Sequence, residues 1–284
     1  IPLRISFFGV RGSTPCPCEA NSRYGGNTAC VALEVAGEDP IILDLGTGLR
    51  FFGETQSKEG SFRGTAFVTH LHWDHVQGLP FFVPALRAGA RLDVYGPVQD
   101  DGLSLADAFN EFMRPPFFPV RTTDLPGDIT FQDVADTQLA IGNAKVTVRT
   151  VPHVGATNGY RIDWDGVSVA YISDHQSPVI RGDEGITIAD SVLELTEGVD
   201  LLIHDAQYWP GEWRAKSTWG HCTVDYAVHV ARVAGAHRLA LFHHDPAHDD
   251  AEVDKVLAHA RSLAAGSGIG EVVAAYEGLT FSFD

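Results

Sequence analysis

Apolar residues arrive along this chain in short runs, each closed by a turn-former or a polar cluster. Residues 3–10, 29–35, 41–45, 65–69, 91–95, 145–151, 167–172, 201–204 and 239–242 read as strands. Apolar and polar positions alternate through 145–151, which predicts a strand with one wet face. Leu201, Leu202 and Ile203 are continuously apolar and predict a buried central strand. Helical spacing lies between such runs. Val224, Ala227, Val228 and Ala231 predict a helix over 223–234, with Thr223 as N-cap and Gly235 as its stop, and 251–264 reads similarly. There is no internal repeat and no low-complexity tract, so residues 1–284 are expected to form one α/β domain.

One stretch interrupts this rhythm. Residues 101–130 carry Phe109, Phe112, Met113, Phe117 and Phe118 together with Pro115, Pro116 and Pro119. The prolines argue against a regular helix or a central strand there. Two compatible readings remain: an apolar excursion packed on the body, and a lid-like insertion that walls a pocket.

Charge narrows the range of partners. Lys and Arg number 20 against 37 Asp and Glu, a net of −17 in 284 residues. Such a surface repels polyphosphate backbones and anionic membranes, so the expected substrate is small and neither duplex nucleic acid nor membrane is expected as a partner. A homodimer remains open. No apolar run approaches the roughly 20 residues of a membrane span. Cys16, Cys18, Cys30 and Cys222 are too few to staple the chain, and Cys16-Pro-Cys18 is too tight for an ordinary disulfide. Reduced thiols and a cytoplasmic location are the expectation.

Thirteen histidines make metal the first chemistry to consider. His70-Leu-His72-Trp-Asp74-His75 follows the run 65–69, and alternation at a strand end is expected to put His70 and His72 on one side. Three imidazoles and a carboxylate within six residues suit zinc or a similar metal. His153, Asp174 and His243 each come just after another apolar run. In a layered α/β fold the strand ends converge on one crevice, so these residues are expected to meet.

The run from His70 to His75, continued by Val-Gln-Gly-Leu-Pro80, resembles the signature of the metallo-β-lactamase-fold hydrolases. Gly78-Leu-Pro80 points towards their ribonuclease Z and cyclic-phosphodiesterase branch, and Tyr171-Ile-Ser-Asp174 and Phe242-His-His-Asp-Pro246 resemble later motifs of that branch. The resemblance implies a four-layer αββα sandwich and two divalent ions, zinc first, with manganese or iron as alternatives. It implies His70, His72 and His153 on one ion and Asp74, His75 and His243 on the other, with Asp174 shared. Asp44, in Asp44-Leu-Gly-Thr-Gly48, matches an aspartate that supports the metal loop without binding metal.

The implied activity is hydrolysis of a small, cyclic-type phosphodiester by metal-activated hydroxide, with Asp74 in the catalytic set. His221, in Gly220-His-Cys-Thr223, and Asp205, after Ile203-His204, stand where the branch has a histidine and an acidic residue, which implies His221 as general acid oriented by Asp205. Trp219 and Arg214, in a loop of aromatics and cations, and Asn27, after Gly25-Gly26, are the substrate-contact candidates. Arg11 reads better as a structural ion pair. The alternatives are a tRNA 3′-processing nuclease, a lactone, thioester or β-lactam hydrolase, and a metal-binding module without turnover. Against the nuclease stands the charge, and no basic, glycine-rich arm is visible.

Overall fold

The structure is a computed structural model that describes residues 2–178 and 186–284. In chain order the strands are β1 (Leu3–Gly9), β2 (Cys30–Glu34), β3 (Ile41–Leu43), β4 (Arg63–Phe67), β5 (Arg91–Pro97), β6 (Asp128–Val134) and β7 (Gln138–Ile141). They continue with β8 (Ala144–Thr150), β9 (Asn158–Trp164), β10 (Val167–Ile172), β11 (Leu201–Asp205), β12 (Arg238–Phe242), β13 (Glu271–Ala274) and β14 (Thr280–Phe283). The helices are α1 (Leu49–Thr55), α2 (Trp73–Val76), α3 (Leu105–Phe112), α4 (Asp190–Thr196), α5 (Pro210–Lys216), α6 (Val224–Ala234) and α7 (Asp250–Ala264).

The strands form two sheets, in the orders β14-β1-β2-β3-β4-β5-β6 and β13-β12-β11-β10-β9-β8-β7. β3 to β6 run parallel in the first sheet, and β10 to β13 run parallel in the second. The sheets face each other across a core that includes Ile5, Phe7, Phe67, Tyr160, Ile162, Trp164, Tyr171 and Phe242. Leu49 and Phe52 of α1 and Leu105 and Phe109 of α3 cover the outer face of the first sheet. Leu195 of α4, Ala227 and Val230 of α6 and Val256 of α7 cover the second. This is the expected αββα sandwich. The continuously apolar run at 201–203 is a strand buried throughout, in the parallel part of its sheet, because helices and the facing sheet close both of its sides.

Local signals read well where one residue decides. Thr223 caps α6 by accepting from the Tyr226 amide at 3.2 Å, and Gly235 ends it in the left-handed conformation at φ 67°. The expectation for 101–130 needs correction. α3 forms inside that segment, capped by Ser104, because the prolines begin only after the helix has ended. Its Phe109 and Met113 are core residues, whereas Phe117 is exposed. Strands β6, β7, β9, β13 and β14 were not anticipated. β9 carries Arg161 and Asp163, and β6 is an edge strand with Asp128 and Asp133, so their apolar signal is diluted. Among the described residues no helix is long and apolar enough to cross a membrane.

Ile162 tests the inter-sheet core. Ile162→Ala should destabilise the fold by about 2–5 kcal/mol in chemical denaturation, against ~0.5–1.5 kcal/mol for Ile162→Val. A loss below 1 kcal/mol for alanine would mean that the sheets do not press together at this residue.

Candidate metal centre

Each of the predicted ligands lies at or just beyond a strand end on one edge of the sandwich. β4 leads into His70 and His72, β8 into His153, β10 into Asp174 and β12 into His243. β8 and β10 both pair antiparallel with β9, so they run the same way and end together. One expectation fails in detail. β4 stops at Phe67, so strand alternation does not align His70 with His72; a loop does, and His72 becomes the N-cap of the short α2. That helix presents Asp74 and His75, both buried.

The side chains gather into two sets. In the first, His70 Nε2 lies 2.8 Å from His72 Nδ1, His153 Nε2 lies 3.5 Å from His72 Nδ1, and Asp174 Oδ2 is 3.5 and 3.6 Å from the His70 and His153 nitrogens. In the second, His75 Nε2 and His243 Nε2 are 3.3 Å apart, and each is 3.1 Å from Asp74 Oδ2. Asp174 Oδ1 completes that set at 3.1 Å from His75 and 3.2 Å from His243. Ligands about 2.0–2.2 Å from one tetrahedral ion stand roughly 3.3–3.6 Å from one another, so both sets have the size of an ion's coordination shell.

The outer hydrogen bonds fit the same reading. His70 Nδ1 donates to Thr69 Oγ1 (3.0 Å), His75 Nδ1 to Asp44 Oδ2 (2.8 Å), His153 Nδ1 to the Gly220 carbonyl (2.5 Å) and His243 Nδ1 to Gln207 Oε1 (2.7 Å). With those nitrogens committed as donors, each Nε2 turns a lone pair inward. Burial holds His70 well below the ordinary imidazole range and also lowers His72 and His153, which keeps them neutral. Burial would lower His75 too, but Asp174, Asp74 and Asp44 outweigh it and push it well above its usual value. Three buried carboxylates around one imidazole call for positive charge at this spot. Asp174 and Asp74 stay well below the carboxylate range despite burial, because the histidines facing them favour the ionised form.

Asp44 supports the loop without reaching either set. It adopts φ 59° and accepts from the Thr69 amide (2.7 Å), from Tyr171 Oη (2.9 Å) and from His75. Gly220 is required for two reasons: its φ is 90°, and a Cβ there would collide with the His153 ring.

His221 faces the same opening, a cavity of about 510 Å³ that also touches Ser13, His72, Asp74, Asp174 and Trp219. It lies within a ligand's distance of Asp174 and His243, yet its Nδ1 is 2.8 Å from Asp205 Oδ2. Burial would lower His221, but Asp205 overrides it and pushes it up to about 9. Asp205 is in turn fixed by the amides of His175 (3.1 Å) and Gln207 (3.0 Å).

The substrate-contact candidates separate. Trp219 is 61% exposed at the cavity rim. Arg214 is exposed on α5 and does not line the cavity. Asn27 does not line it either, since its side chain donates to Glu277 Oε2 at 3.1 Å. Trp209 and Trp213 anchor their loop by donating to Glu252 and to the His221 carbonyl. Arg11, fully buried, donates to the carbonyls of Gly25 and His248 and lies 3.9 Å from Asp250, the structural role expected. All four cysteines are free. Sequence reasoning missed Gln207, Thr69 and Ser13, whose amide donates to Asp74 Oδ2 at 2.8 Å. Gln207 was within reach of inference, two residues past Asp205 in one loop.

With this geometry in view, the beta-lactamase superfamily domain matches residues 56–244. The chain belongs to that family. It is a metal-dependent hydrolase with the metallo-β-lactamase fold and is similar to ribonuclease Z. The ribonuclease Z of Pyrococcus abyssi is 25% identical over 277 residues, 86% of this chain and 87% of that protein. Among solved structures, the metallo-β-lactamase fold protein YhfI of Bacillus subtilis overlays with a TM-score of 0.73 at 19% identity, covering 99% of both chains. Human tRNase Z, short form, overlays with a TM-score of 0.68 at 19% identity, again covering 99% of both. The expectation of a small substrate with no duplex nucleic acid as partner is overturned by the relatives named ribonuclease Z along most of the chain. Net charge describes the whole surface, whereas a phosphate meets the charge at the site itself.

Two variants separate the two ligand sets. His153→Ala should weaken metal binding at the set containing His70 and His72 only, while Asp174→Asn should weaken both, as read by elemental analysis and metal titration. Complete metal loss from His153→Ala would argue against two separable sets.

Proposed function

We propose that the protein hydrolyses RNA phosphodiesters in the manner of a ribonuclease Z, using two divalent ions, one in each ligand set. The observation that carries this reading is Asp174, whose two oxygens serve different sets, with the Asp205–His221 pair on the same cavity. Divalent ions there would supply Lewis acidity to the phosphoryl oxygens and acidify a water molecule. Zinc suits the imidazole-rich sets, with manganese or iron as alternatives.

The chain's own residues do the rest. His70, His72 and His153 are held neutral with lone pairs to offer, His75 and His243 turn Nε2 towards Asp74 and Asp174, and those two carboxylates would balance cationic charge. Attack of water on phosphorus breaks the bond to the departing alcohol, whose oxygen needs a proton. His221 supplies it. Its raised pKa keeps it charged at neutral pH, and Asp205 fixes its ring with Nδ1 as donor. Asp205 is a positioning residue. Trp219, at the rim, is the substrate contact retained from the sequence candidates.

Hydrolysis of a small phosphodiester, cyclic ones included, is the second reading. The metal cavity, about 510 Å³, has a size suited to a small ligand. A panel decides between them: a tRNA precursor with a 3′ extension, a cyclic dinucleotide, an aryl phosphodiester and a lactone, each with zinc and with manganese. Specific cleavage of the precursor at the 3′ extension supports the lead reading. Turnover of the cyclic dinucleotide with an intact precursor would replace it with the second, and turnover of the lactone alone would remove both.

His221→Ala should reduce turnover of a diester with an alkoxide leaving group by about 10²–10⁴-fold. A nitrophenolate departs largely unaided, so the same variant should lose much less on an aryl diester. Asp205→Asn should show a weaker form of that pattern, with metal content preserved in both variants. Equal losses on the two leaving groups would remove the acid role.

A further inference from the structure

A second cavity, of about 600 Å³, adjoins the metal centre and shares Leu71 and Trp73 with it. Its remaining walls include Phe81, beyond the metal-ligand motif, and Phe109, Phe112 and Phe117 from the segment after β5. Its size lies within the ~300–1,000 Å³ of clefts that hold small ligands. Trp73, Phe81 and Phe117 are 76%, 57% and 77% exposed. Single exposed aromatics are ordinary, but three around one concave opening beside a reaction centre mark a binding surface.

Polarity decides what could enter. Among the described residues no lysine, arginine or histidine lines this cavity; its polar side chains are Gln77 and Glu111, and Glu111 is paired with Arg114. A phosphate would gain nothing there. A flat, uncharged group would stack on the aromatic walls. Because Trp73 separates His72 from Asp74 in the chain, a phosphodiester at the ligand sets lies next to this opening.

We propose that this cavity is a specificity subsite for an unstacked nucleobase flanking the scissile phosphodiester. The inference rests on the phosphodiesterase reading above and adds what the site selects for. Phe81 and Phe117 are exposed stacking residues that do not line the metal cavity, and Gln77 is the polar group available to the base edge. The apolar excursion after β5 thus acts as a pocket wall.

The test compares two diesters with the same nitrophenolate leaving group, one carrying thymidine through its 5′ oxygen and one carrying only a methyl group. The wild-type protein should prefer the thymidine diester by about tenfold or more in kcat/KM. Phe81→Ser combined with Phe117→Ser should cut that preference by about tenfold, through KM and not kcat. Both side chains are exposed, and circular dichroism and metal content confirm that the variant is folded and loaded. An unchanged preference would overturn the proposal. So would an equal gain from a cyclohexylmethyl diester, which would show a subsite for any apolar group. If neither diester is hydrolysed, the phosphodiesterase reading fails instead. The subsite is then judged by adenosine quenching of tryptophan fluorescence, which supports it if weakened in the double variant and overturns it if not.

Discussion

A buried carboxylate with no solvent must find its hydrogen bonds inside the protein, and Asp44 finds them on both sheets. It follows β3 in the first sheet, takes the Thr69 amide and the His75 ring from the metal-ligand loop, and takes Tyr171 Oη from β10 in the second. Leaving such a group unpaired costs several kcal/mol, so the loop, the two strand ends and one ligand ring are held in a single arrangement. The left-handed backbone at Asp44 is tolerated for this reason. The metal centre inherits its geometry from that knot.

Around it the fold repeats one device. Parallel strands in each sheet stop at the same edge, and the residues at or after the ends of β3, β4, β10, β11 and β12 supply the site. Asp174, His243 and Asp205 come from the second sheet, while His70 to His75 come from the first. Several of the hydrogen bonds that orient these groups come from uncharged partners, Thr69, Gln207 and the Gly220 carbonyl, beside the carboxylates of Asp44 and Asp205. A hydrolase needs this stiffness, because small misplacements of a reacting group are costly in rate.

The sandwich and the gathering of the candidate ligands were legible because their signals are local. A dense histidine run, an apolar run ended by a charged residue, and a threonine before a helix each declare themselves within a few positions. Asn27 shows the other case. Its neighbours suggest an approach to substrate, but its amide pairs with Glu277, a partner 250 residues away that no local pattern reveals. Arg214 failed similarly, since a cation near aromatics in sequence carries no information on which side of a short helix it stands. The helix in 105–112 was obscured by prolines that lie just beyond it. Charge misled most, because a sum over the chain does not report the field at one cavity.

Asp174 divides its two oxygens between the ligand sets, and the sets draw on both sheets. Any cation held there would therefore also act as a clamp between the two halves of the sandwich, adding to the packed core and to the Asp44–Tyr171 hydrogen bond. Unfolding must release it, so the folded state gains free energy that grows with the logarithm of free metal. Durability and activity of this protein are then drawn from one supply: a cell that starves it of metal would loosen the structure as it silences the chemistry.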